Sequence, residues 1–143
     1  MPRLSIIIPT LNEEKLIERT LIALKGCVPD AELIVVDGGS NDATVVRASK
    51  HARVLTAKRG RGRQLNAGVQ AAQGDILLFL HADTIPDAAG LSELLEVMQE
   101  DPGKDGNSPV GGAFRMRFDD PLRILYLLKV PPAAYEWLWP PVR

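Results

Sequence analysis

Three apolar runs, each closed on its carboxyl side by a polar loop, limit what this chain can fold into. Leu4 to Ile8 leads into PTLNE, Glu32 to Val36 into VDGGSND, and Ile76 to Leu80 into HADT. Short runs of this kind read as strands, and the unbroken Ile76 to Leu80 run predicts a strand buried on both faces. Helical spacing fills the gaps between runs, and strands alternating with helices predict right-handed crossovers and a mostly parallel sheet with helices on both faces. Ligands of such sheets sit beyond the carboxyl ends of the strands, so the three loops share one rim and one cleft.

Local signals refine the plan. Pro9 cannot donate within a central strand and ends the first one. Asn12 reads as the N-cap of a helix, with Glu13 and Glu14 complementing its positive end, Leu16, Ile17, Thr20, Leu21 and Leu24 on its inward face, and Gly26 as its stop. A second helix is expected over 41–50 and a short third strand over 53–56. The basic stretch AKRGRGR then enters a helix over 63–72, whose inward positions are Leu65, Val69 and Ala72, and Gly74 ends it. Pro86 and Asp87 open a further helix with Leu91, Leu94, Leu95 and Met98 on one face. Residues 101–109 form a turn-rich loop and 111–118 a returning or edge strand. Leu122 to Val130 is strongly apolar, and Pro131 and Pro132 prevent it from continuing as a helix.

With 143 residues, 45% hydrophobic and 24% charged, the chain suits one soluble domain with a real core rather than a disordered segment. A net charge of -1 predicts no nucleic-acid partner, since phosphate-binding surfaces show a basic excess. The single cysteine, Cys27, excludes an internal disulfide and a cysteine zinc cluster. The N-terminal apolar run is far too short for a signal peptide core, and no later stretch reaches the length of a membrane span. These features together predict a cytoplasmic protein.

The loop residues suit one chemistry. Asp37, at a strand end and followed by two glycines, offers a carboxylate to nucleobase N–H groups and a backbone that a ligand can approach closely. Asp83 offers an oxygen to a hard divalent cation, which would bridge a diphosphate. Arg59, Arg61 and Arg63, with the positive end of the following helix, add phosphate contacts.

The ordered set IIIPTLNE, LIVVDGGSNDAT, GRGRQLNAGVQAAQGDILLFLHADT and GGAFR, over residues 4–118, resembles a family 2 glycosyltransferase. The nearest likeness is to a small bacterial subgroup whose metal motif reads HAD. The resemblance implies a single α/β domain of the Rossmann-like GT-A fold over 1–118, followed by a divergent segment over 119–143. It implies a metal-dependent transfer of sugar, with inversion, from a nucleoside diphosphate sugar to an acceptor that the motifs do not specify. By the same resemblance Pro9, Thr10 and Glu13 hold the nucleotide, and Asp37 reads a pyrimidine base. Ser40 and Asp42 stabilise the turn, Arg63 and Asn66 lie near the donor diphosphate, and Asp83 binds Mn or Mg.

Two departures from the family pattern stand out. His81 occupies a place where the family usually has an acid. It either joins Asp83 as a ligand, tilting the metal towards Mn, or hydrogen-bonds a neighbouring loop. The family's general base is a carboxylate on a later segment, whereas beyond residue 118 the acids are Asp119, Asp120 and Glu136, none in a recognisable context. This leaves an alternative to the enzyme: a nucleotide-sugar-binding module without the acceptor half and base. The 119–143 segment is expected to pack on its own domain, with pairing to a second copy or peripheral contact with a membrane as alternatives.

Overall fold

A computed structural model describes residues 3–99, all within the first of the chain's two compact units, Met1–Val110. The order is β1 (Leu4–Thr10), α1 (Ile17–Cys27), β2 (Glu32–Asp37), α2 (Thr44–Ala48), β3 (Arg53–Thr56), α3 (Arg61–Ala71), β4 (Ile76–Phe79) and α4 (Ala88–Gln99). The strands pair in parallel in the order β3-β2-β1-β4, as the strand-helix alternation predicts. The expected strand over 111–118, the apolar segment and the acids Asp119, Asp120 and Glu136 lie outside the described residues.

Side-chain alternation along the strands divides the core in two. Ile6 and Ile8 of β1 and Leu33 and Val35 of β2 pack with Ile17, Leu21 and Leu24 of α1, Ala48 of α2 and Leu91 of α4. On the other face Ile7, Ile34 and Val36 meet Leu65, Ala67 and Ala72, in and just beyond α3. Helices therefore cover both faces of the sheet. Among the described residues no helix is long and apolar enough to cross a membrane.

Four expectations need correction. β1 does not end at Pro9: Thr10 still pairs with Asp37. Ile7 accepts from the Leu80 N–H, so alternation turns the missing Pro9 donor towards β4, where pairing stops, and spares the ladder to β2. Of the inward positions expected in and after α3, Leu65 and Ala72 pack on the core but Val69 is exposed, and the buried positions of the helix are Gln64 and Gly68. A Cβ on Gly68 would stand 2.3 Å from Ile7 Cγ2, so the helix lies too close to the sheet for any larger side chain there. Among the described residues β4 is covered on one face only, with Leu77 and Phe79 exposed, because α3 packs on β1 and β2. Finally, α1 runs through the exposed Gly26 to Cys27, and Pro29 terminates it by disfavouring helical backbone at Val28.

Candidate functional site

The carboxyl rim of the sheet is built from three loops, the first two bonded to each other and the third anchored on α1. Asn12, expected as a helix cap, instead takes a left-handed backbone conformation with φ of 57°. Its N–H donates to Ser40 Oγ at 2.8 Å, and its own Oδ1 accepts from the Asn41 N–H at 2.9 Å. α1 begins later, and the Glu13 carbonyl accepts the Leu16 and Ile17 N–H groups ahead of it. The Glu13 N–H donates to Thr44 Oγ1 at 2.7 Å, the Glu14 N–H donates to Asp42 at 3.2 Å, and Glu14 Oε2 accepts from the Ala43 N–H at 3.0 Å. Residues 12–14 and 40–44 are thus joined by five hydrogen bonds.

Asp37 is 2% exposed. Its Oδ2 accepts the Gly39 and Ser40 N–H groups, both at 2.9 Å, and Oδ1 accepts the Ser40 hydroxyl. The carboxylate is the cap of its own turn, and the remaining lone pair on Oδ1 is what it can still offer a ligand. Asp42 has the stabilising role expected of it, accepting from the Thr44 N–H and hydroxyl. Burial works against its charge, but these bonds and the one from Glu14 hold its carboxyl below the usual aspartate value.

The HADT loop is anchored at its middle residue. Ala82 is buried, and its carbonyl accepts the buried Thr20 hydroxyl at 2.6 Å. With Ala82 turned inwards, His81 and Asp83 on either side are exposed at the rim, and the Thr84 N–H closes the turn onto the His81 carbonyl. Glu13 feels this loop directly. Burial raises its carboxyl above the ordinary value, the charges of Asp83 and Asp42 raise it further, and the His81 imidazole opposes them. First, second and HADT loops therefore share one electrostatic site.

The other expected residues divide. Pro9 is half-buried at the end of β1. Thr10 is 2% exposed, and its Oγ1 is a buried oxygen without a partner among the described residues. Its carbonyl accepts the Gly38 N–H and the Gln64 amide, so β1 reaches the rim through its backbone. Arg61 and Arg63 are exposed in the first turn of α3, and Gly60 precedes the helix without a side-chain cap, leaving the first-turn N–H groups open. Asn66 lies two residues beyond the buried Gln64, about 200° around the helix, and is exposed on the side away from the sheet. Gln64 itself was not among the sequence candidates. Its amide donates to Thr10 O at 2.9 Å and Val36 O at 2.8 Å.

Among the described residues no three histidine, cysteine or acidic side chains converge as a metal site. Asp83 presents one exposed carboxylate, whose Oδ1 accepts the Thr84 hydroxyl at 3.3 Å, with His81 two positions away. That donor set fits a hard cation that keeps its waters and takes remaining oxygens from a diphosphate.

A parallel sheet with helices on both faces and an acidic, glycine-bearing carboxyl rim defines an α/β domain of the GT-A kind. Residues 5–129 match the model of Glycosyl transferase family 2, and the chain belongs to that family. It is 35% identical over 94 residues to glucosyl-3-phosphoglycerate synthase of Mycobacterium tuberculosis, a match covering 57% of this chain and 29% of that protein. It is 29% identical over 109 residues to dodecaprenyl-phosphate galacturonate synthase of Rhizobium johnstonii, covering 67% of this chain and 32% of the relative. The mycobacterial synthase in complex with Mn2+, UDP and phosphoglyceric acid superimposes with a TM-score of 0.61 at 31% identity, over 69% of this chain and 39% of that one. The matched region is about a third of the length of these relatives.

Proposed function

We propose that this chain binds a nucleoside diphosphate sugar at the carboxyl rim of its sheet and serves its transfer to an acceptor hydroxyl with inversion. The observation that carries this reading is the joining of the first two strand-end loops by five hydrogen bonds, beside an HADT loop whose exposed Asp83 acts on the Glu13 carboxyl. Asp37 and the Gly38–Gly39 turn would take the base, offering the spare Oδ1 lone pair to a base N–H. Glu13, in the loop fastened to Thr44, would line the nucleotide side of the cleft. Arg61, Arg63 and the open N–H groups of α3 would face the diphosphate. Asp83, with His81 beside it, would hold Mn or Mg, which when bound neutralises the diphosphate as a leaving group. Inversion fits attack by the acceptor oxygen on the anomeric carbon from the side opposite the departing diphosphate.

The likeness to a synthase solved with Mn2+ and UDP supports these assignments, as does the donor set around Asp83. Calorimetric titration with UDP, with and without MnCl2, on the wild type and Asp83→Ala tests them. The wild type should bind UDP in a Mn-dependent manner, and the variant should lose at least about ten-fold in affinity, or roughly 1.4 kcal/mol. An absence of UDP binding to the wild type with Mn would refute the reading. Sugar release from UDP-sugar donors then separates a transferase from a binding module, which would retain the donor intact.

A further inference from the structure

Gln64 is 5% exposed, on a helix whose neighbouring positions Arg63 and Asn66 face solvent. Its two amide hydrogens are both spent on backbone oxygens in the last two rungs of the β1–β2 ladder, Thr10 O at 2.9 Å and Val36 O at 2.8 Å. Thr10 O also accepts the Gly38 N–H at 2.9 Å, so one carbonyl carries the end of β1, the start of the glycine turn and the amide of α3. The amide lies against Gly38: a Cβ there would stand 3.1 Å from Gln64 Cδ and Nε2 and 3.2 Å from Oε1.

A buried amide joining three elements where sheet pairing ends has a consequence for the site. The distance between β1 and β2 here sets the spacing between the Asn12–Glu14 loop and the Asp37 turn. The same side chain fixes the first turn of α3, with Arg61 and Arg63, against both. From this geometry we propose that Gln64 is a positioning residue for donor recognition. It holds the base-side turn and the phosphate-side helix end at the separation that a nucleoside diphosphate requires. The proposal rests on the donor-binding reading given above. Gln64 makes no ligand contact in it, and a Cβ at position 38 would press on the amide at 3.1 Å.

The test is Gln64→Met, which keeps the length and packing of the side chain and removes both donors, beside Gly38→Ala, which presses on the amide from the other side. UDP affinity with MnCl2, and its ratio to ADP affinity, are measured at a temperature where circular dichroism shows each chain folded. Both variants should lose about ten-fold in UDP affinity, with a narrowed UDP-to-ADP ratio. Gly38 lies in the base-side turn itself, so its loss counts only beside that of Gln64→Met, and Gln64→Leu takes the place of Gln64→Met should that chain fail to fold. Affinity within two-fold of wild type and an unchanged ratio, even with a lower melting temperature, would reduce Gln64 to a structural residue while leaving the donor-binding reading intact. A wild type that binds no UDP would remove both.

Discussion

The Glu13 N–H donates to Thr44 Oγ1 at 2.7 Å, joining the first loop to the start of α2 across 31 positions of sequence. The same hydroxyl donates onward to Asp42 Oδ1, and Thr44 is fully buried. The hydroxyl at the middle of this relay cannot turn to water. Thr44→Val keeps the shape, leaves the Glu13 N–H without its acceptor and leaves Asp42 Oδ1 with the backbone N–H of residue 44 alone. The expected cost is about 1–3 kcal/mol in urea denaturation. Thr44→Ser keeps the hydroxyl and should recover most of that loss. Equal losses in the two variants would mean that the methyl, not the relay, matters.

The Glu13 carboxyl carries a pH signature. Burial, then the charges of Asp83 and Asp42, raise it above its ordinary value of 4.5. A carboxyl raised on folding contributes stability that is fully present below its unfolded value and is lost as pH rises through the folded value. In the metal-free chain, Glu13→Gln should therefore gain on the wild type as the solution is taken from acid to neutral pH. A constant difference between the two chains across that range would remove Glu13 as the source.

The strands were legible because each apolar run ends in a loop of a different chemical kind, and a parallel sheet follows from their alternation with helices. The reading of α3 missed its most buried positions for a physical reason. Periodicity counts apolar side chains and picks out Leu65, Val69 and Ala72, of which Leu65 and Ala72 do pack on the core, while the closest approach to the sheet is made by Gly68 and the flat amide of Gln64. Gln64 left no signal because its partners are backbone carbonyls, which no sequence displays. Asn12 was misread for a related reason: its side chain bonds a residue 29 positions away rather than the next turn of its own chain. Asp83 was legible as a residue type at a strand end, but its exposure depends on Ala82 being pinned by Thr20.

That close approach makes Gly68→Ala a sensitive probe. Alanine is the better helix former by about 1 kcal/mol, so the exchange would stabilise an isolated helix. Here the new methyl would meet Ile7 Cγ2 at 2.3 Å and Val36 Cγ2 at 3.2 Å, both on strands that cannot yield without disturbing the sheet. Overpacking should win, with a net loss of about 1–3 kcal/mol. Adding Ile7→Ala should restore part of it, so the two changes in one chain should cost less than their sum. Strict additivity would show that α3 had moved aside instead.

Asp37 separates turn stability from ligand recognition. Its carboxylate accepts three bonds from Gly39 and Ser40 while nearly fully buried. Asp37→Asn keeps one oxygen for the two backbone N–H groups and turns its NH2 towards the Ser40 hydroxyl, which can accept. The turn should survive with a loss of about 1 kcal/mol, whereas Asp37→Ala strands both N–H groups and should cost about 2–3 kcal/mol. Ligand binding should not follow that ranking. The spare lone pair on Oδ1 becomes a donor in the asparagine variant, so a base N–H meets another N–H. UDP affinity should therefore fall in Asp37→Asn by at least as much as in Asp37→Ala, although the asparagine chain is the more stable of the two. Titrations and denaturation curves on the same preparations compare both orders. If affinity simply tracked stability, Asp37 would act only by shaping its turn.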